Sequence, residues 1–127
     1  MSTSMKNVEC TTLFVDDLRL SKAFYQNVFD LPLVYEDDNS AVFNFESLSI
    51  NLFVSSAAHE LIEPATVAGH ESGARFQLTI PVDDVDATCA ELAELGVTLL
   101  NGPLDRPGGI RTASFTDPGG HIWQIAQ

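Results

Sequence analysis

Apolar and polar residues alternate from Val8 to Val15, with Glu9, Thr11, Leu13 and Val15 on one face and Val8, Cys10, Thr12 and Phe14 on the other. This is the period-two pattern of a strand. Beyond Asp16-Asp17 the period changes. Leu20, Phe24, Tyr25 and Val28 recur at helical spacing, which predicts a helix that buries this stripe. Asp17 is placed to cap it, because a carboxylate can accept the free amide hydrogens of a first turn. Asp30 and Pro32 stop the helix. Leu33 to Tyr35, Ala41 to Phe45 and Leu48 to Val54 read as three further strands, divided by the acidic turn at Asp37-Asp38-Asn39 and by Glu46-Ser47.

The same order then returns. Phe76 to Val82 reads as a strand, and Asp84 caps a helix with Val85, Cys89, Leu92 and Leu95 on one stripe. Gly96 supplies a left-handed C-terminal position. Val97 to Leu100 and Arg111 to Phe115 are the next strands, joined by a loop rich in turn formers, Asn101 to Gly109. Asp117-Pro118-Gly119-Gly120 is a tight turn before a last strand, His121 to Ala126. Sliding the chain by 67 residues lays Val15-Asp16-Asp17-Leu18 on Val82-Asp83-Asp84-Val85, Thr12 on Thr79 and Ala23 on Ala90. A duplicated unit directs attention to the surface that both copies help to build.

These elements predict an α+β fold: two βαβββ units forming a concave mixed-sheet cup with the helices outside. The chain of 127 residues, 45% apolar, has the material for one domain with a real core, 1–127. Unit 1 spans about 7–54, a linker 55–73, and unit 2 about 74–127. No apolar run approaches the ~20 residues that span a bilayer, and Met1 to Lys6 lack a signal peptide's apolar stretch. The expectation is a cytoplasmic protein. Cys10 and Cys89 make neither a disulfide framework nor a paired-cysteine metal motif, and read as reduced thiols.

Charge narrows the partners. Eighteen acids against six bases leave a net charge of −12, which repels nucleic-acid phosphates and anionic membranes and attracts cationic small molecules. The same acids also serve solubility.

The order of elements, Val15-Asp16-Asp17-Leu18 with Ser21-Lys22-Ala23-Phe24-Tyr25 behind it, and the terminal Phe115-Thr116-Asp117-Pro118-Gly119-Gly120-His121 together resemble the vicinal oxygen chelate superfamily. That group includes glyoxalase I, extradiol dioxygenases, fosfomycin resistance enzymes and bleomycin resistance proteins. The resemblance covers nearly the whole chain and points to the fold more than to a reaction, since the fold hosts several chemistries and plain binding. It implies that metal ligands, where present, come from the first and last strands of each unit. Seven residues before Asp17 and Asp84 stand Cys10 and Gln77; seven after Asp117 stands Gln124, and the matching place in unit 1 is Asn51.

Zinc is held by imidazole, thiolate and carboxylate, and harder cations want several anionic oxygens. One thiol and three carboxamides offer neither, so the expectation is no cofactor and no divalent metal. His59 and His70 fall in the linker and His121 beside the last turn. Asn51, Gln77 and Gln124 each carry a donor and an acceptor, suited to neutral recognition, and Thr12 and Thr79 share their face. The alternative is that these groups bond one another or buried water.

Phe43, Phe45 and Phe53 are candidates for stacking on a ligand or for core packing, and Arg111 for an anionic group or a surface acid, while strand alternation turns Trp123 away from Gln124. The ligand-binding set is thus Cys10, Thr12, Phe43, Asn51, Phe53, Gln77, Thr79, Arg111 and Gln124, with no catalytic residue assigned. Three functions stay open. The first is a metal-free protein that binds an antibiotic or metabolite, cationic or aromatic, acting as a homodimer. The second is a lyase or dioxygenase-type enzyme, and the third is a protein-interaction module with a closed cup.

Overall fold

A computed structural model describes residues 5–127, apart from the side chain of His70. Met1 to Ser4, part of the stretch read as lacking a signal peptide, and the His70 side chain lie outside the described residues. The chain divides into two compact units, with the boundary between Val67 and Ala68, inside the stretch read as linker. No helix among the described residues is long and apolar enough to cross a membrane.

In unit 1, β1 (Cys10–Val15) leads into α1 (Leu18–Val28), followed by β2 (Leu33–Glu36), β3 (Ser40–Asn44) and β4 (Ser49–Val54). A 3-10 turn at Ser55–Ala57 and a single-turn helix α2 (His59–Ile62) close the unit. The sheet order is β1-β4-β3-β2. β1 and β4 are parallel, and the other pairs antiparallel. Helix formation follows from the cap: Asp17 Oδ1 accepts the Leu20 amide hydrogen at 3.0 Å, filling one of the donors that a helix start leaves free.

The apolar stripe of α1 sits differently from the expectation. Tyr25 is fully buried and Phe24 and Val28 half-buried, but Leu20 is 57% exposed and Ser21 takes the buried place. Ser21 and Tyr25, four residues apart, lie along the line that faces β3 and β4, and Leu20, about 100° around the helix from Ser21, is turned aside. Tyr25 stacks on Phe43 with centroids 5.7 Å apart, and Phe29 meets the edge of Phe45 at 5.3 Å. Alternation places Leu13, Val15, Ala41, Phe43, Ile50 and Leu52 on this helix-covered face, each almost wholly buried.

Unit 2 has β5 (Gln77–Pro81), α3 (Val85–Glu94), β6 (Leu99–Arg106), β7 (Ile110–Thr116) and β8 (Ile122–Ala126), in the sheet order β5-β8-β7-β6. β5 and β8 pair in parallel, as β1 and β4 do. Asp84 Oδ1 caps α3 through the Ala87 amide at 3.1 Å. Val85 and Leu92 are buried and Cys89 half-buried, whereas Leu95, just past the helix end, is 51% exposed. Gly96 has the left-handed conformation expected of it, with φ of 81°. Trp123, Ile125, Ala113 and Phe115 fill the helix-side face.

The stretch Asn101 to Gly109, read as a loop, is mostly strand. β6 runs to Arg106 and pairs with β7 through two register shifts, one between Leu99 and Asn101 and one between Asn101 and Leu104. Gly102 explains how turn-forming residues enter a strand. Its φ is 91°, and a Cβ there would lie 2.6 Å from Ala113 Cα and 2.6 Å from the Thr112 carbonyl oxygen. A residue without a side chain lets the bulged strand close on its neighbour. Asp117 organises the following turn: Oδ1 accepts the Gly119 and His121 amide hydrogens at 3.0 and 2.9 Å.

Gly102→Ala is expected to lower unfolding stability by about 3 kcal/mol, from a left-handed alanine plus overlap with β7. Gly96 has φ of 81° but open space around it, so Gly96→Ala should cost only about 1 kcal/mol. Urea denaturation of the two variants checks the difference.

Candidate functional site

Each sheet presents a second face, away from its helix, and the register builds that face in rows. In unit 1 the parallel pairing sets Cys10 beside Ser49, Thr12 beside Asn51 and Phe14 beside Phe53. Antiparallel β3 continues these rows with Asn44, Val42 and Ser40, and Tyr35 of β2 lies beside Val42. The face therefore grades from small polar groups at one end to aromatic rings at the other. Ser49 Oγ donates to Asn44 Oδ1 at 2.6 Å, and Asn51 Nδ2 donates to Thr12 Oγ1 at 3.4 Å.

Unit 2 repeats the central row. Thr79 lies beside Gln124 in the parallel pair β5/β8, and its hydroxyl donates to Gln124 Oε1 at 3.1 Å. β7 adds Ser114, which is buried, across from Gln124. Gln77, at the start of β5, is exposed beside Ile122. The duplicated threonine and carboxamide pair meets part of the alternative raised by the sequence: these groups do bond side chains of their own sheet.

Of the sequence candidates, Cys10, Thr12, Asn51 and Phe53 share the helix-free face of unit 1, and Gln77, Thr79 and Gln124 that of unit 2. Two leave the set. Phe43 is fully buried under Tyr25 on the opposite face, because Phe43 and Asn51 fall on opposite parities once β3 and β4 pair. Arg111 shares the parity of Ala113 and Phe115 and so belongs to the helix side. There it forms a two-pronged ion pair with Asp86 of α3 at 2.8 and 3.0 Å and reaches Asp105 at 2.8 Å. These bonds hold the guanidinium pKa above its ordinary value, and hydrogen bonding from Arg111 holds the Asp86 carboxyl below its own. The pairing is exposed, and contributes little to stability. Trp123 faces the helix side, as expected.

Cys10 is exposed. Burial, and then the charge of Asp86, push the Cys89 thiol up, which keeps it a thiol. His121 is turned to the Asp117 carboxylate, with Nδ1 3.1 and 3.2 Å from its two oxygens. The sequence reading put Phe14 on the face of Cys10 and Thr12 but left it, and Ser114, out of the ligand-binding set. The signal was available: Ser114 alternates with Phe115, and Phe14 shares the parity of Thr12.

Comparison with known proteins decides the family. The Glyoxalase/Bleomycin resistance protein/Dioxygenase superfamily matches residues 7–125. The chain belongs to this family. YraH of Bacillus subtilis, an uncharacterized protein, is 31% identical over 118 residues, 89% of this chain and 91% of its own. Metallothiol transferase FosB of Lysinibacillus sphaericus is 31% identical over 111 residues, 87% of this chain and 74% of its own. A crystal structure of a glyoxalase/bleomycin resistance protein/dioxygenase from Nocardioides superposes with a TM-score of 0.87 at 20% identity, covering 98% of this chain and 85% of that one. That likeness shows the fold.

A member of the glyoxalase family raises the question of a metal, and donor chemistry answers it for these positions. Cys10, Asn51, Gln77 and Gln124 supply one thiol and three neutral carboxamides, and two of those carboxamides are already engaged by threonines. Divalent cations take imidazole, thiolate or several anionic oxygens. Among the described residues no three His, Cys, Asp or Glu stand together as a ligand group. The donors present do not fit a divalent ion.

Phe43→Ala is expected to cost about 3–5 kcal/mol of stability, the loss of a fully buried ring. Phe53→Ala should cost about 1 kcal/mol or less, because that ring is half-exposed. Thermal or urea unfolding of the two variants checks the division of the faces.

Proposed function

We propose that this glyoxalase-family protein binds a small organic molecule on a helix-free sheet face, through neutral hydrogen bonding and aromatic contact and without a resident metal. The repeated pairing of Thr12 with Asn51 and of Thr79 with Gln124 carries the reading. Carboxamides in that setting orient a ligand; being neutral, they neither take a proton from water nor hold a divalent cation without anionic ligands beside them. The net charge of −12 favours a cationic or aromatic cationic ligand from a distance. Metal analysis of protein purified without chelator should find no stoichiometric divalent ion, and a stoichiometric one would sink the reading. A thermal-shift panel of cationic aromatic antibiotics and small metabolites should then contain a stabilising compound. At a hundredfold excess over Kd the gain is about 2.7 kcal/mol, and Gln124→Ala should reduce it more than Arg19→Ala.

A second reading, an enzyme, is favoured by the relative FosB, which is a metallothiol transferase. The same metal analysis separates the two, since the binding reading requires no bound ion and a metal-dependent transferase requires one.

The reading includes a cytoplasmic homodimer. Leu100, Leu104 and Ile110 on β6 and β7 are large apolar side chains about half exposed, the kind of surface that a second copy covers. Light scattering coupled to gel filtration should give twice the chain mass; a single-chain mass at micromolar concentration would remove this part.

A further inference from the structure

We propose that the ligand of the unit 1 face is a planar ring bearing an N–H donor, with the donor on Asn51 Oδ1 and the ring against Phe53 and Phe14. The proposal rests on the binding reading above and deepens it to a ligand class. Its starting point is one atom. Asn51 Oδ1 is buried and has no hydrogen-bond partner among the described residues.

A buried carbonyl oxygen without a donor has lost its bonds to water and gained none in return, a state that native structures rarely keep. The neighbours of Asn51 do not supply the bond. On β1, the Thr12 hydroxyl meets the other arm of the carboxamide, its oxygen accepting from Asn51 Nδ2 at 3.4 Å, and makes no bond to Oδ1. On β3, the residue across is Val42, whose side chain has no polar atom. Unit 2 shows what a filled row looks like. There the Gln124 oxygen takes the Thr79 hydroxyl at 3.1 Å, and a serine, Ser114, stands across on β7. Valine at the matching place in unit 1 leaves its carboxamide oxygen for something from outside the sheet.

The adjoining row defines the rest of the ligand. Phe14 and Phe53 are direct neighbours in the β1/β4 pair, and both are half-buried. Neither joins the ring contacts that Phe24, Tyr25, Phe29, Phe43 and Phe45 make on the other face. Two residues along a strand span roughly 6.6 Å, the reach of a ring with a one-carbon substituent. Side chains alternate, so Asn51 and Phe53 project from the same side of β4. None of the residues in these rows carries a carboxylate or a cation, so the recognised feature is the N–H itself and a positive charge is optional. A donor placed on Oδ1 adds a bond to an oxygen that is already desolvated.

Three probes of one shape separate the possibilities: benzamidine, a cationic donor; benzamide, a neutral donor; and acetophenone, which only accepts. Titrated into the uniformly 15N-labelled full chain, benzamidine and benzamide should shift the Asn51 side-chain amide and the Thr12 and Phe53 backbone amides. Each should bind about fivefold tighter than acetophenone, the worth of one net hydrogen bond. In Asn51→Leu, which removes the unpartnered oxygen and is expected to fold, the three should bind alike. Acetophenone binding as tightly as benzamide in the native chain overturns the donor assignment, by showing that the carboxamide presents its nitrogen, and leaves the binding face standing. Shifts confined to residues off this face, with a thermal-shift hit still present, overturn the proposed seat; absence of both overturns the binding reading itself.

Discussion

Parallel pairing of the first strand of each unit with its last is the constraint on which the arrangement depends. A strand that leaves β1 must travel through α1, β2 and β3 before β4 can lie beside its starting point in the same direction. The crossover helix has one place to go, against one face of the sheet. Everything chemical then follows from parity. Residues that alternate toward the helix must be apolar and close-packed, as Leu13, Leu52 and Phe43 are. Their neighbours in sequence, Thr12, Asn51 and Val42, are sent together to the other side. The same pairing of β5 with β8 brings Thr79 to Gln124. Polar groups separated by 39 and 45 residues meet because of this register, and for no local reason.

The repeat, the capping aspartates and the strand-to-helix junctions were legible because each is decided within a few residues. Asp17 and Asp84 cap their helices through bonds three residues away, and alternation within β1, β4 and β8 assigned faces correctly for Thr12, Asn51, Phe53, Gln124 and Trp123. What misled were features that depend on a partner strand or helix. Phe43 reads as a plausible ring for a ligand until the β3/β4 register puts it opposite Ile50 and under Tyr25. Arg111 acquires its partners from α3 and β6, 25 and 6 residues away. Leu20 has the right spacing but lies off the line of contact, and its place is taken by Ser21, whose small side chain lets α1 lie close. The β6 bulge was hidden because Gly102 signals a turn by composition, whereas its function is to admit the backbone of Ala113.

The two units share a scaffold but have diverged in how they satisfy it. In unit 2 the central row is threonine, glutamine and serine, and its hydroxyl donates inward to the carboxamide. In unit 1 the row is threonine, asparagine and valine, with the donation reversed. A longer glutamine side chain can swing to meet a hydroxyl; asparagine, one methylene shorter, is held nearer the sheet and keeps one oxygen unpaired. Duplication thus preserves positions while leaving each copy free to change what it recognises.

The distribution of charge completes the argument. Although the chain carries −12, the acids with defined partners lie off the two polar faces. Asp17 and Asp84 cap helices, Asp37 and Asp117 organise turns, Glu36 pairs with Lys22, and Asp86 and Asp105 hold Arg111. Carboxylates spent in this way act on a ligand only as a field, which draws cations from solution but is screened beyond ~8–10 Å at physiological salt. Under the proposed binding, discrimination at close range falls to uncharged groups. In that seat a carboxamide oxygen and a pair of phenyl rings would distinguish ligands by where a hydrogen is offered and how flat the adjoining surface is.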